Sequence, residues 1–171
     1  KSLGNGFPMA AVIGTADVMS AAEGSFISSS YWTDGIGPTA ALATLRKAER
    51  VDLPTHIRTI GTKLRDGLLE AAERHKLPLT TSVHPAIMWF KIDHPQALAI
   101  QTLWTKRMLE RDILGDASFY PALSHTEQHV NTYLEAINEV FPELAQAIED
   151  NDLEQRIGGP LRQTGFARLT S

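Results

Sequence analysis

Short apolar runs alternate with long amphipathic stretches along this chain, and that alternation limits its architecture more than any other feature. Met9–Thr15 (MAAVIGT) and Ala86–Ile92 (AIMWFKI) are too short for core helices and lie next to turn residues, so each reads as a buried strand. Ser118–Leu123 reads as a third. Pro38 sits well in a first helical turn, and the Ala-rich run after it predicts a helix to Arg50. A second helix starts at Pro54, with Ile57, Ile60, Leu64, Leu68 and Ala71 on one face and a basic end at Arg74-His75-Lys76. Ala97–Leu114 predicts a third, striped by Leu98, Gln101, Trp104, Met108 and Leu109. Thr126 or Ser124 caps a last one, which runs through Val130, Leu134, Ile137, Val140, Phe141, Leu144 and Ile148. Strands alternating with helices imply an α/β architecture. The boundary falls near Leu53-Pro54, so residues 1–53 are expected to end a larger domain and 54–171 to form a smaller α+β domain. The chain opens on Lys1 in mid-motif, which reads as the C-terminal part of a longer polypeptide.

Composition narrows the function classes. With 43% hydrophobic and 21% charged residues, the chain can bury a core. Its net charge of −4, with no basic patch, argues against a nucleic-acid partner. No apolar run approaches the ~20 residues that span a bilayer, and no signal-peptide core is present, so a membrane role is not expected. The absence of cysteine removes disulfides, thiolate metal sites and a cysteine nucleophile, and fits a cytoplasmic location.

Two places could carry chemistry. In K-S-L-G-N-G-F-P, Lys1 stands beside a tight turn of small residues where backbone can approach a ligand closely. A lysine held as the neutral amine can form a Schiff base, although a solvated charge is the ordinary reading of such a residue. Thr33-Asp34-Gly35-Ile36-Gly37-Pro38 opens a helix whose free N–H groups suit an anion; alternatively Thr33 or Asp34 simply caps it. The six histidines read as scattered, and no metal site is expected. Trp89, Phe90 and Trp104 read as core, and His125 as structural rather than substrate-facing.

The order of these pieces resembles the class III (omega-type) aminotransferase family, and within it glutamate-1-semialdehyde aminomutase and its relatives. K-x-L-G-N-G-x-P-M-A-A, then Asp17-Val18-Met19, then T-D-G-I-G-P-T-A-A-L-A-T-L are similar to the family's G-K-x-x-G-G-G-x-P-x-G-A and T-x-S-G-N-P-x-A segments. S-H-T-E-Q-H-V near residue 124 is similar to the aminomutase branch's A-H-(S/T) segment. The resemblance implies a fold-type-I transferase, with the end of its large domain and its small C-terminal domain in this chain. It implies pyridoxal 5'-phosphate as cofactor, Lys1 as the Schiff-base lysine and proton carrier, and Thr33 as the residue holding the cofactor phosphate. It further implies a homodimer in which Thr33 serves the neighbouring subunit's site, and small amino and carbonyl compounds as substrates.

Four departures bear on the reaction. Gly4-Asn5-Gly6 replaces three glycines, and Gly35-Ile36-Gly37 replaces Ser-Gly-Asn. The acidic residue that gates the aminomutase site aligns with Ala117, which favours amino transfer over the internal mutase reaction. The arginine of the family's R-x-x-P-P-L segment has no counterpart, leaving Arg162 or Arg168 as candidate cations for a carboxylate substrate. An aminomutase remains the neighbouring alternative. From another class, a non-catalytic dimerisation or interaction domain would carry the same helices with an idle lysine.

Overall fold

The computed structural model describes residues 1–165. Contacts divide the chain into two units, Lys1–Pro54 and Thr55–Ser171.

In the first unit, α1 (Ala16–Met19) runs into a 3-10 turn at Ser20–Gly24, and α2 spans Ile36–Arg50. Alanines favour α2 throughout, and Lys47 and Arg50 in its last turn suit the negative end of its dipole. Only Gly4, Gly37 and Ala41 are buried in this unit. The apolar run Met9–Thr15, expected to be a buried strand, forms no strand, and Val12 and Ile13 are 85% and 90% exposed. A strand needs a neighbour for its N–H and C=O groups, and no described residue pairs with this run.

The second unit holds one continuous core. The helix α3 (Leu53–Arg74) buries Ile60, Leu64, Leu68 and Ala71, the expected face. A three-stranded antiparallel sheet follows, in the order β1 (Leu79–Thr81), β2 (Met88–Ile92), β3 (Ser118–Phe119). Leu79 pairs with Ile92 and Met88 with Phe119. Along β2, Met88, Phe90 and Ile92 point into the core, so Trp89, expected there, faces out and is 45% exposed. The period of two decides this against bulk hydrophobicity. β3 is two residues long, shorter than the expected Ser118–Leu123.

The next helix, α4, covers Ala97–Leu109 and stops short of Leu114. Asp112 takes φ 59° there, and Ile113 N–H returns to the Met108 carbonyl at 3.0 Å, closing the end by a left-handed turn. Its buried face is Ile100, Leu103, Trp104 and Met108, rotated from the expected stripe so that Leu109 is exposed. The last long helix, α5 (Glu127–Glu149), starts with a capping box: Thr126 Oγ1 accepts from His129 N–H, and His129 Nδ1 accepts from Thr126 N–H. A short α6 (Leu153–Ile157) closes the chain onto α4 and α5. Trp104 sits at the centre, its ring 5.4 Å from Phe90 and 5.7 Å from Phe141. Arg107 Nε lies 2.8 Å from both Glu143 carboxylate oxygens and ties α4 to α5.

Candidate active site

The lysine and threonine singled out in the sequence both lie in the first unit. Lys1 is exposed and makes no salt bridge among the described residues. After it the backbone turns sharply, with Phe7 N–H donating to the Gly4 carbonyl at 3.3 Å. Gly4 is buried, and a Cβ there would collide with the Phe7 carbonyl oxygen. Asn5 and Gly6 take φ 45° and 111°. Asparagine is among the few side-chain-bearing residues that tolerate the left-handed region, so Asn5 can hold a turn position that glycine usually takes.

Thr33 precedes α2 by three residues. Of the two candidate caps, Asp34 does the bonding: its Oδ1 accepts from Ile36 N–H at 2.8 Å. Thr33 makes no hydrogen bond among the described residues, and its side chain is exposed. Pro38 has no N–H, and Thr39 N–H is used by the Gly35 carbonyl, so Gly37 alone in the first turn keeps an N–H without a partner among the described residues. The helix start therefore offers one N–H and one hydroxyl.

What joins the lysine turn to the helix start is Pro8 against Gly37. A Cβ on Gly37 would strike the Pro8 carbonyl oxygen, and Met9 Sδ would lie 3.6 Å from it. Sequence reasoning saw glycine on both sides of Ile36 but not this contact; the signal was a glycine inside a helix's first turn, where propensity disfavours it. Nearby, Phe7, Gly35, Ile36, Thr39, Ala40 and Ala43 line a shallow hollow of about 470 Å³. The Lys1 and Thr33 side chains do not bond to each other; their segments adjoin through Pro8 and Gly37.

The other candidates are engaged elsewhere. Arg162 Nη1 is 2.7 Å from Asp116 Oδ1, and that hydrogen bond, first among several causes, holds the Asp116 carboxyl below its usual range. Arg168 lies outside the described residues. His125 Nδ1 accepts from Ala122 N–H at 2.9 Å, a structural bond within its own turn. Ala117 packs against the core, and its carbonyl accepts from Phe90 N–H at 2.8 Å. No group of three or more His, Asp or Glu among the described residues could hold a metal ion. Among the described residues no helix is long and apolar enough to cross a membrane.

A free amine, a free hydroxyl and a helix N–H suit a ligand that joins an aldehyde to a phosphate, so the donor set fits pyridoxal phosphate. Comparison with known proteins gives the same direction. The profile of the family described as aminotransferase class-III matches residues 1–141. The 4-aminobutyrate aminotransferase GabT of Escherichia coli K12 is 40% identical over 75 residues, which are 44% of this chain and 18% of that protein. Glutamate-1-semialdehyde 2,1-aminomutase 2 of Lysinibacillus sphaericus is 27% identical over 162 residues, covering 85% of this chain and 38% of that protein. The FumI protein of Sphingopyxis sp. MTA144, solved in its pyridoxal-phosphate internal aldimine form, superposes with a TM-score of 0.75 over 86% of this chain and 36% of its own, at 23% identity. The chain thus has the α/β fold of fold-type-I transferases, and spans well under half the length of these relatives.

Proposed function

The chain belongs to the class III aminotransferase family, and on that premise we propose that the protein moves an amino group from an amino donor to a carbonyl acceptor with pyridoxal 5'-phosphate. The observation that carries this is an exposed Lys1 amine without a salt bridge and an exposed Thr33 hydroxyl without a hydrogen bond among the described residues, at the two positions that match the family's cofactor-holding residues. Lys1 would hold its own subunit's cofactor covalently, and Thr33, with Gly37 N–H, would hold the phosphate end of the cofactor bound by the partner subunit. When bound, that cofactor supplies the electron sink for charge left on the carbon bearing the amino group. A neutral Lys1 Nζ has the lone pair that both tethers an aldehyde and, once released, takes or returns a proton at that carbon. Arginine, always protonated, could do neither.

The resemblance to the mutase branch aligns that branch's acidic gate with Ala117, and an alanine there supports transfer over the internal mutase reaction. Residues 1–53 are assigned to the end of the cofactor-binding large domain and 54–171 to the small domain. We further assign a homodimer to the whole protein, in which Thr33 serves the partner's site, and a cytoplasmic location. The exposed Tyr31, Trp32 and Ile36 beside Thr33 support the dimer, since an isologous contact would bury them twice over. A non-catalytic interaction domain would use the same apolar surface but would have no need to leave Lys1 and Thr33 free.

The test is borohydride reduction of the yellow protein followed by peptide mapping. The pyridoxyl group is expected on Lys1, and its recovery on another lysine refutes the assignment.

A further inference from the structure

Three imidazoles meet where α5 begins. His125 precedes the cap residue Thr126; its ring lies 4.9 Å from that of Phe119 and 6.3 Å, edge-on, from that of His129. The third, His56, is the fourth residue of α3, at the end of its first turn. Its charge acts on His125, and its Nε2 is buried without a hydrogen-bond partner among the described residues.

Two of these rings hold backbone through the same atom. Ala122 N–H donates to His125 Nδ1 at 2.9 Å, and Thr126 N–H donates to His129 Nδ1 at 3.1 Å. Both bonds need the lone pair of a neutral imidazole. A protonated ring has none to offer. Protonated His129 could still donate to Thr126 Oγ1, 3.2 Å away, but the Thr126 N–H would lose its acceptor. At the third position of this box the acceptor exists only on the neutral ring, unlike the usual Glu or Gln. Two imidazolium charges would also face each other at the positive end of a 23-residue helix.

The surroundings offer little compensation. From α3 come His56 and Lys63; the Lys63 ammonium stands 3.7 Å from Glu127, so the carboxylate of the first turn of α5 is already shared. From α5 come Glu127, His129 and Tyr133, whose ring is 6.0 Å from Phe119. β3 brings only Ser118 and Phe119, and Asp116 ahead of it is paired with Arg162. No carboxylate among the described residues pairs with any of the three imidazoles.

We propose that the start of α5 is a proton-operated clasp: neutral His125 and His129 hold the 122–126 turn and the helix cap closed, and protonation of either ring releases the backbone it holds. Burial first, then the charges of His129 and His56, lowers the His125 pKa from its ordinary value of 6.5. A base whose folded value is depressed contributes its full stabilisation above the unfolded value. That contribution is lost as pH falls through the unfolded and then the folded value, so the clasp is shut at neutral pH and opens in mild acid.

Backbone hydrogen exchange on the whole protein, corrected for intrinsic rates, tests this without reference to cofactor or activity. Between about pH 7.5 and 5, a window that runs below histidine's ordinary range because His125 is depressed, protection at Ala122 and Thr126 should fall by roughly tenfold, the worth of one hydrogen bond, while Val140 to Leu144 stay unchanged. In His129→Glu, whose carboxylate keeps the capping acceptor over that range, the fall should vanish at Thr126 and persist at Ala122. Protection in the wild type that does not vary with pH overturns the clasp, whether or not the variant folds. An equal fall at Thr126 in His129→Glu overturns it too.

Discussion

Replacing Gly37 by alanine should loosen the first unit at the point where its two candidate site segments meet. Away from contacts, Gly→Ala within a helix gains up to ~1 kcal/mol, because alanine loses less backbone freedom on folding. At Gly37 the added methyl meets the Pro8 carbonyl oxygen well inside van der Waals contact, and that oxygen is backbone, so no side-chain rotation relieves it. Overpacking of this kind costs typically 1–3 kcal/mol. Steric cost outweighs propensity, and a net loss of about 1–2 kcal/mol is expected. The Pro8 segment should move away from α2, and cofactor retention should weaken with it, because the turn that carries Lys1 and the helix start that follows Thr33 are displaced from one another. Gly24→Ala is the control, since a Cβ there meets nothing within 4 Å; its effect should stay within about 0.5 kcal/mol. Urea unfolding gives the stability difference, and cofactor absorbance after dialysis gives the retention. A Gly37→Ala protein as stable and as yellow as the wild type would show that the Pro8 contact positions nothing.

Thr33→Ala should weaken cofactor retention by about 1–3 kcal/mol, the range for a hydrogen bond to a charged group, with the urea midpoint unchanged; equal retention would remove Thr33 from the site. Mixing Lys1→Ala with Thr33→Ala dimers should restore about a quarter of the sites once subunits exchange, because one site in each heterodimer regains both residues; no recovery despite confirmed exchange would refute the shared site. Glu143→Gln should destabilise the second unit by about 1–3 kcal/mol at neutral pH by breaking the ion pair with Arg107. The Arg107 hydrogen bond holds the Glu143 carboxyl below its ordinary 4.5, so the ion pair's contribution is complete above that value and is lost as pH falls through the lower folded one. Unfolding midpoints of wild type and Glu143→Gln should therefore converge as pH falls below 4.5, and a gap independent of pH would contradict the pairing.

The second unit was largely legible because its information is local. Ile60, Leu64 and Leu68 recur at helical spacing, and burial follows that spacing. Thr126 caps α5, and the box closes through His129 although the sequence offered no Glu or Gln at that place. Trp89 misled because its size outvoted its register, and the α4 stripe slipped because Leu98 and Leu109 are apolar without facing the core. His125 and His129 stand four residues apart, a spacing that is lost when the six histidines are treated as scattered. His56, some seventy residues away, joins them only through the packing of α3 beside α5. Likewise Gly37 gives no sign of Pro8 until the chain is folded.

The first unit was harder to read for an energetic reason. Val12, Ile13, Phe26, Tyr31 and Trp32 are each 64–96% exposed. Burying one such side chain is worth roughly 1.5–3 kcal/mol, so the five together represent about 8–15 kcal/mol. That is as large as the whole stability of an ordinary domain. A sequence does not keep that much apolar surface for water, and a patch of this kind marks an interface. On the proposed assignment, the run Met9–Thr15 has the composition of a buried strand because a larger domain would cover it. The same surface supports assigning residues 1–53 to a larger domain. It also fits the proposal that Lys1 and Thr33 serve a shared site, since the residues between them carry the hydrophobic area that a partner would cover.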